Sequence, residues 1–166
     1  MGELQFRIAN IEDLPKVVEI YNSTIASRMV TADLEEVSVA QRLPWFEAHN
    51  PEKRPLWVME LNNEICGWIS FQDFYGRVAY EATVEVSIYL DANFRGHGLG
   101  TKAIQYALEM CPKYKIETLL GFIFAQNEPS IRLFKHFGFE SWGHLPAVAE
   151  LDGKKCDLVI LGKKIS

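Results

Sequence analysis

The stretch Arg95-Gly96-His97-Gly98-Leu99-Gly100 most constrains what this chain can fold into. It follows an apolar run, Val86-Ser87-Ile88-Tyr89-Leu90, and opens a helical pattern running from Leu99 to Cys111. A strand, a glycine turn and a helix N-terminus in that order make an anion site. The first N–H groups of a helix have no internal partner, and the helix dipole places partial positive charge there. Glycine takes up φ > 0 and lets the backbone come close to a phosphate. The expected ligand carries phosphates; the alternative is a tight turn whose glycines serve geometry alone.

Two familiar glycine loops do not fit. A P-loop needs Gly-x-x-x-x-Gly-Lys-Ser/Thr, and Gly100-Thr101-Lys102 breaks that order. The dinucleotide fingerprint needs Gly-x-Gly-x-x-Gly, and here Thr101 occupies the slot of the third glycine. What remains is Arg-x-x-Gly-x-Gly.

Composition narrows the classes. A chain of 166 residues, 48% hydrophobic, fits one domain, 1–166, with a sizeable core. A formal net charge of -5 argues against nucleic acid as partner. No apolar run reaches the roughly 18 residues of a membrane span, and Met1-Gly2-Glu3-Leu4 lacks the charged and apolar regions of an export signal. Cys66, Cys111 and Cys156 are odd in number and far apart, as unpaired thiols of a cytoplasmic protein would be. His49, His97, His136 and His144 do not cluster at metal-ligand spacing, so no metal is expected.

Along the chain, Leu4 to Ile8 reads as a strand, and Asn10 caps a helix with Leu14, Val17, Val18 and Tyr21 at helical spacing. Ser38-x-x-Gln41 is a capping box for a second helix. Leu56 to Leu61 and Ile65 to Phe71 read as paired strands around Asn62-Asn63. The next strand alternates, with Val84, Val86, Ile88 and Leu90 on one face and Thr83, Glu85, Ser87 and Tyr89 on the other. After the glycine loop and its helix, Leu119 to Ala125 reads as a buried strand and Ser130 to Phe137 as a short helix. Two strands close the chain, near Glu140 to Leu145 and Asp157 to Lys163. The order is mixed α/β.

A second motif, Asn127-Glu128-Pro129-Ser130-Ile131-Arg132-Leu133-Phe134 followed by Gly138-Phe139, joins the glycine loop. Together they resemble the GCN5-related N-acetyltransferase (GNAT) superfamily. Ile20-Tyr21-Asn22, Ala79-Tyr80, the run Thr83 to Leu90, and Gly153 with Asp157 resemble its phosphinothricin acetyltransferase branch. The resemblance implies an α/β fold whose central twisted mixed sheet has splayed strands and flanking helices. It implies acetyl-CoA as cosubstrate, with Arg95, Gly96, His97, Gly98, Leu99, Gly100 and Thr101 around the pyrophosphate. Asn127 and Ser130 would then line the pantetheine, which pairs with the backbone of Ile88, Tyr89 and Leu90. It also implies a homodimer, to which Trp142, Leu145 and Pro146 could contribute.

The implied reaction moves an acetyl group from a thioester to an amine, which must be neutral to attack. On the order of a tenth of an α-amino group, with pKa about 7.7–8.0, is free base at neutral pH. Removing the proton is general-base work, typically worth ~10²–10⁴-fold. Glu85, on the polar face of the strand that leads to the loop, is the candidate base; the alternative is a surface carboxylate paired with a cation. Backbone N–H groups near Ile88 to Leu90 would supply the donors for the developing oxyanion.

Acceptor-side candidates are Met29, Arg77, Tyr80, Thr83 and Glu85 itself, with Arg77 suited to a substrate carboxylate. Phe134 stands where relatives carry Tyr or His, and phenylalanine can neither donate nor accept a proton. A thiol like that of cysteine, with pKa about 8.5, leaves as thiolate without much help. The resemblance points to a small amino-acid-like amine such as phosphinothricin or methionine sulfoximine, and to detoxification or resistance. A polyamine, an aminoglycoside or a protein N-terminus is an alternative acceptor; a non-catalytic acyl-CoA-binding module is a reading of another class.

Overall fold

The computed structural model describes residues 2–94 and 96–165. Seven strands form one sheet: β1 (Leu4–Ile8), β2 (Leu56–Leu61), β3 (Glu64–Asp73), β4 (Thr83–Leu90), β5 (Thr118–Phe124), β6 (Glu140–Leu151) and β7 (Lys154–Lys164), in the order β1-β2-β3-β4-β5-β7-β6. The helices are α1 (Leu14–Ser23), α2 (Val39–Glu47), α3 (Leu99–Met110) and α4 (Glu128–His136). Only β4 and β5 pair in parallel; the other neighbours are antiparallel. A parallel pair needs a crossover, and α3 provides it.

Local chemistry accounts for most boundaries. Asn10 and Asp13 form a reciprocal capping box on a 3₁₀ turn that runs into α1, and Pro15 occupies the first turn of α1, where its missing N–H costs nothing. Ser38 and Gln41 cap α2 in the same way. Asn62 and Asn63 both have positive φ, 54° and 65°, the geometry of a two-residue hairpin turn between β2 and β3.

The two sheet faces bury different helices. Val84, Val86, Ile69, Phe71, Leu119 and Ile123 pack with Leu99, Ala103, Ile104 and Ala107 of α3 and Phe134 of α4. Leu56, Val58 and Trp68 pack on the other side with Val17, Ile20 and Tyr21 of α1 and Trp45 and Phe46 of α2. The alternation of β4 therefore separates Val84 and Val86, facing α3, from Glu85, Ser87 and Tyr89, facing α1 and α2.

The last two strands are longer than the sequence pattern indicates. Asp152-Gly153, with φ of 53° and 78°, forms the tight turn of a hairpin that runs from Glu140 to Lys164. A register shift between Leu145 and Ala149, with Ala147 at φ 53°, breaks the alternation that would have marked β6. Lys164 Nζ donates to Thr118 Oγ1 at 3.0 Å, and the Lys163 side chain covers Gly138.

Candidate active site

The glycines of the loop divide their work. Gly96 (φ 84°) and Gly98 (φ 67°) are left-handed, and a Cβ on either would meet no atom within 4 Å. Conformation, not crowding, requires glycine at both. Gly98 is the N-cap of α3 and offers no side chain to the first amides of the helix, which remain available to an anion. At Gly100 a Cβ would lie 2.8 Å from Leu133 Cδ2, so this glycine serves the packing of α3 on α4. Arg95 lies outside the described residues. His97 is half-buried and Thr101 exposed, and neither lines the groove beside the loop.

That groove, about 420 Å³, is bordered by Gly96, Leu99, Gly100, Asn127 and Ser130. It continues past Ile88, Tyr89 and Leu90 into a narrower cavity of about 130 Å³ that reaches Met29, Ser87, Phe122 and Phe134. Its origin is the sheet itself. β4 pairs with β5 only over Thr83–Glu85 against Thr118–Leu120, while β3 stays paired with β4 as far as Leu90. From Val86 onward the β5-facing edge of β4 is open, and alternate N–H and C=O groups point into the opening. These features suit an extended ligand with a phosphate at one end and amides along its length, as in the pantetheine arm of a coenzyme A thioester.

Asn127 is both a cap and a wall. Its Oδ1 accepts from the Ser130 N–H at 3.4 Å at the start of α4, and the residue lines groove and cavity alike. Phe134 is buried, edge-on to Phe139 at 4.9 Å between ring centroids. A Cβ on Gly121 would come within 2.9 Å of its ring. This side of the opening is apolar.

Glu85 stands at the point where the strands part. It is half-buried, opposite Gln72 on β3 and Leu120 on β5, and burial alone raises its pKa above the ordinary carboxylate range. Among the described residues no cation pairs with it. A carboxylate raised by desolvation is the stronger proton acceptor once ionised.

The connection from α1 to α2 closes the other side. The Tyr21 hydroxyl lies 2.5 Å from Thr31 Oγ1 and donates to the Asp33 carboxylate. Asn22 exchanges two hydrogen bonds with the backbone of Val37, both 2.9 Å. Arg28 Nε binds Asp152 at 2.7 Å, and Gln126 Nε2 donates to the Arg28 carbonyl at 3.1 Å. Met29 and Val30 are thereby held over the cavity. The pattern Ile20-Tyr21-Asn22 acts as an anchor for this segment, a role that sequence reasoning missed because its three partners lie 10 to 15 residues away.

Arg77 and Tyr80 are not brought to the groove. Arg77 is exposed before a 3₁₀ turn, and Tyr80 joins an aromatic cluster with Phe74 and Tyr75. Thr83 is half-buried at the closed end of the β4–β5 pairing.

The acetyltransferase (GNAT) family model matches residues 17–139. The chain belongs to that family. YwnH of Bacillus subtilis, provisionally named a phosphinothricin acetyltransferase, is 51% identical over 164 residues, covering 98% of this chain and all of that one. An L-methionine sulfoximine/L-methionine sulfone acetyltransferase of Pseudomonas paraeruginosa is 30% identical, over 93% of this chain and 91% of that one. The phosphinothricin acetyltransferase of Sinorhizobium meliloti, solved in complex with acetyl-CoA, superposes with a TM-score of 0.89 at 25% identity, over 97% and 88% of the two chains. The mixed sheet with its parted strands is thus the GNAT fold, and the chain is an N-acetyltransferase rather than a non-catalytic module. Among the described residues, no helix is long and apolar enough to cross a membrane.

Proposed function

We propose that this enzyme transfers the acetyl group of acetyl-CoA to the amine of a small amino-acid-like substrate such as phosphinothricin or methionine sulfoximine, with Glu85 as general base. The observation that carries this reading is the parting of β4 and β5 immediately beyond Glu85. A thioester lying along Ile88–Leu90 brings its carbonyl to the open backbone edge, while the carboxylate at the apex is reached from the α1–α2 side. The α3 amides at Leu99 and Gly100, with Arg95, His97 and Thr101 of the same loop, would hold the pyrophosphate. Asn127 and Ser130 would border the pantetheine.

On the acceptor side, Met29 walls the pocket. Arg77 and Tyr80 reach the substrate carboxylate only if their exposed turn folds inward, and Thr83 supports the Glu85 end. The relatives named for phosphinothricin and methionine sulfoximine support this acceptor class and a detoxifying role. The whole chain would act as one cytoplasmic domain and pair as a homodimer through the β6 face, where Trp142, Leu145 and Val148 are exposed.

The test is release of free thiol from acetyl-CoA with a panel of amines. Turnover on phosphinothricin or methionine sulfoximine but not on spermidine, an aminoglycoside or a ribosomal peptide is expected. Preference for a cationic acceptor overturns the substrate assignment, and a monomer by sedimentation overturns the dimer.

A further inference from the structure

One polar cluster on the α1–α2 face of the sheet is not used by the proposed reaction as described so far. Ser70, on central strand β3, is fully buried, and its hydroxyl lies 2.6 Å from His49 Nε2. His49 Nδ1 lies 2.9 Å from the carbonyl of Trp45. A carbonyl can only accept, so Nδ1 carries the proton and Nε2 accepts from Ser70. The ring is fixed at both nitrogens and at its face, where Trp45 meets it edge-on at 4.7 Å.

The register places this pair beside the base. Successive rows on the shared face of β3 and β4 are Trp68 with Tyr89, Ser70 with Ser87, and Gln72 with Glu85. The aromatic row is closed, its rings stacked at 4.5 Å. The serine row lies between that stack and the carboxylate, about 6.6 Å along the strand from Glu85. Directly opposite residues have Cβ atoms about 4.5–5.5 Å apart, a gap that one water or a turn of the Ser87 hydroxyl closes. Ser87 itself lines the cavity. The imidazole thus bonds one hydroxyl, Ser70, whose register partner Ser87 faces the cavity.

We propose that Ser87, Ser70 and His49 form the route by which the acceptor's proton leaves Glu85. An amine that enters as an ammonium ion must lose a proton before attack, and one proton per turnover has to reach solvent. The N–H bond of the ammonium breaks and an O–H bond forms on Glu85. That proton passes to Ser87, each serine oxygen gaining one proton as it gives one up, and the Ser70 proton forms a new N–H bond at His49 Nε2. His49, half-exposed just beyond α2, swings off Ser70 as an imidazolium, gives its Nε2 proton to water and returns with the proton on Nδ1. The amine then forms its C–N bond as the C–S bond breaks, and the nitrogen's second proton goes with the sulfur as the free thiol.

The charged groups facing the imidazole suit a transient carrier. Burial, opposed by backbone hydrogen bonding at Trp45 and Phe46 and helped by Arg42 on α2, holds the His49 pKa below the ordinary imidazole value. Glu85 lies one row away on β4. On β3 the next residue of that face is Gln72, and Asp73, which alternates to the other face, is bound to Arg54. His49 and Ser70 touch neither substrate nor the reacting atoms; they are positioning and relay residues, and the proposal rests on Glu85 being the base.

The test compares His49→Gln, Ser70→Ala, the double variant and Glu85→Gln. His49→Gln keeps an acceptor for Ser70 but cannot titrate. It is expected to lower kcat about 10-fold, short of the ~10²–10⁴-fold that the base itself supplies, and to remove one ionisation from the acid limb of the kcat profile. KM for both substrates stays put. Ser70→Ala gives the same loss, and the double variant is no worse than either single one. Imidazole nitrogen shifts in the unliganded protein are expected to show His49 protonated at Nδ1 and perturbed at Nε2 by Ser70→Ala. Unchanged kcat and pH profile in folded His49→Gln, or a loss confined to the melting midpoint, overturns the relay. If Glu85→Gln stays fully active, the base assignment fails and the relay with it. If Glu85→Gln is inactive while His49→Gln is normal, only the relay fails.

Discussion

Glu85→Gln should make the protein more stable and less active at once, and the two effects have one cause. Burial raises the Glu85 pKa, and no ionic partner among the described residues offsets it. In the unfolded chain a glutamate titrates near about 4.3. Between that value and the raised native pKa the folded state binds the proton more firmly, so stability falls as pH climbs through this window. Above the window the full cost of an ionised, half-buried carboxylate remains. Each pK unit of elevation corresponds to about 1.4 kcal/mol at neutral pH.

Glutamine keeps the shape and removes the charge. Melts of both proteins at pH 7.5 are expected to show the variant higher, by about 2–4 °C for each kcal/mol recovered, with the difference vanishing near pH 4. Thiol-release assays are expected to show kcat lower by ~10²–10⁴-fold with acetyl-CoA affinity intact. A lower midpoint for the variant at pH 7.5, or unchanged turnover, would refute the link between desolvation and basicity.

The loop and the cavity walls give three further expectations. Gly98→Ala forces a Cβ into a left-handed residue, costing about 1–2 kcal/mol, and should weaken acetyl-CoA binding by calorimetry more than it slows turnover at saturation. Gly121→Ala drives a methyl against the rigid Phe134 ring and should destabilise by about 1–3 kcal/mol in denaturant melts. Tyr21→Phe removes the hydroxyl that holds Thr31 and Asp33; the KM for the amine should rise severalfold while the Kd for acetyl-CoA holds steady.

The sequence spoke clearly wherever a local rule decides the outcome. The capping box at Ser38 and the alternation of Thr83 to Leu90 each depend on residues a few positions apart, and each lies where the pattern places it, whereas Asn10 caps a 3₁₀ turn that precedes α1 rather than α1 itself. The final hairpin was underestimated for an equally local reason. The Asp152-Gly153 turn signal was there to use, but the irregular stretch from Pro146 to Ala149 broke the period-two pattern first. The face on which Glu85 lies was legible; that no cation among the described residues pairs with it was not, because that depends on what the helices bring across. The Tyr21 anchor and the His49–Ser70 bond join residues 10 and 21 apart, and no periodicity reports such a meeting.

Phe134 is most informative when set against the opposite face. A side-chain acid is missing from the α4 wall, and around position 134 that wall is apolar, with Phe134, Phe139 and Gly121 fitted to one another. Glu85, Ser87, Ser70 and His49 lie across β4 from that apolar patch. In the proposed mechanism the sheet therefore separates two tasks: gripping the thioester from the α3–α4 side and handling protons from the α1–α2 side. A leaving thiol with pKa about 8.5 needs no acid on the gripping side, whereas an amine near 8 or higher needs a proton acceptor on the other. On this division, restoring a tyrosine at position 134 should do little for kcat, because the barrier it would lower is not the one this enzyme faces.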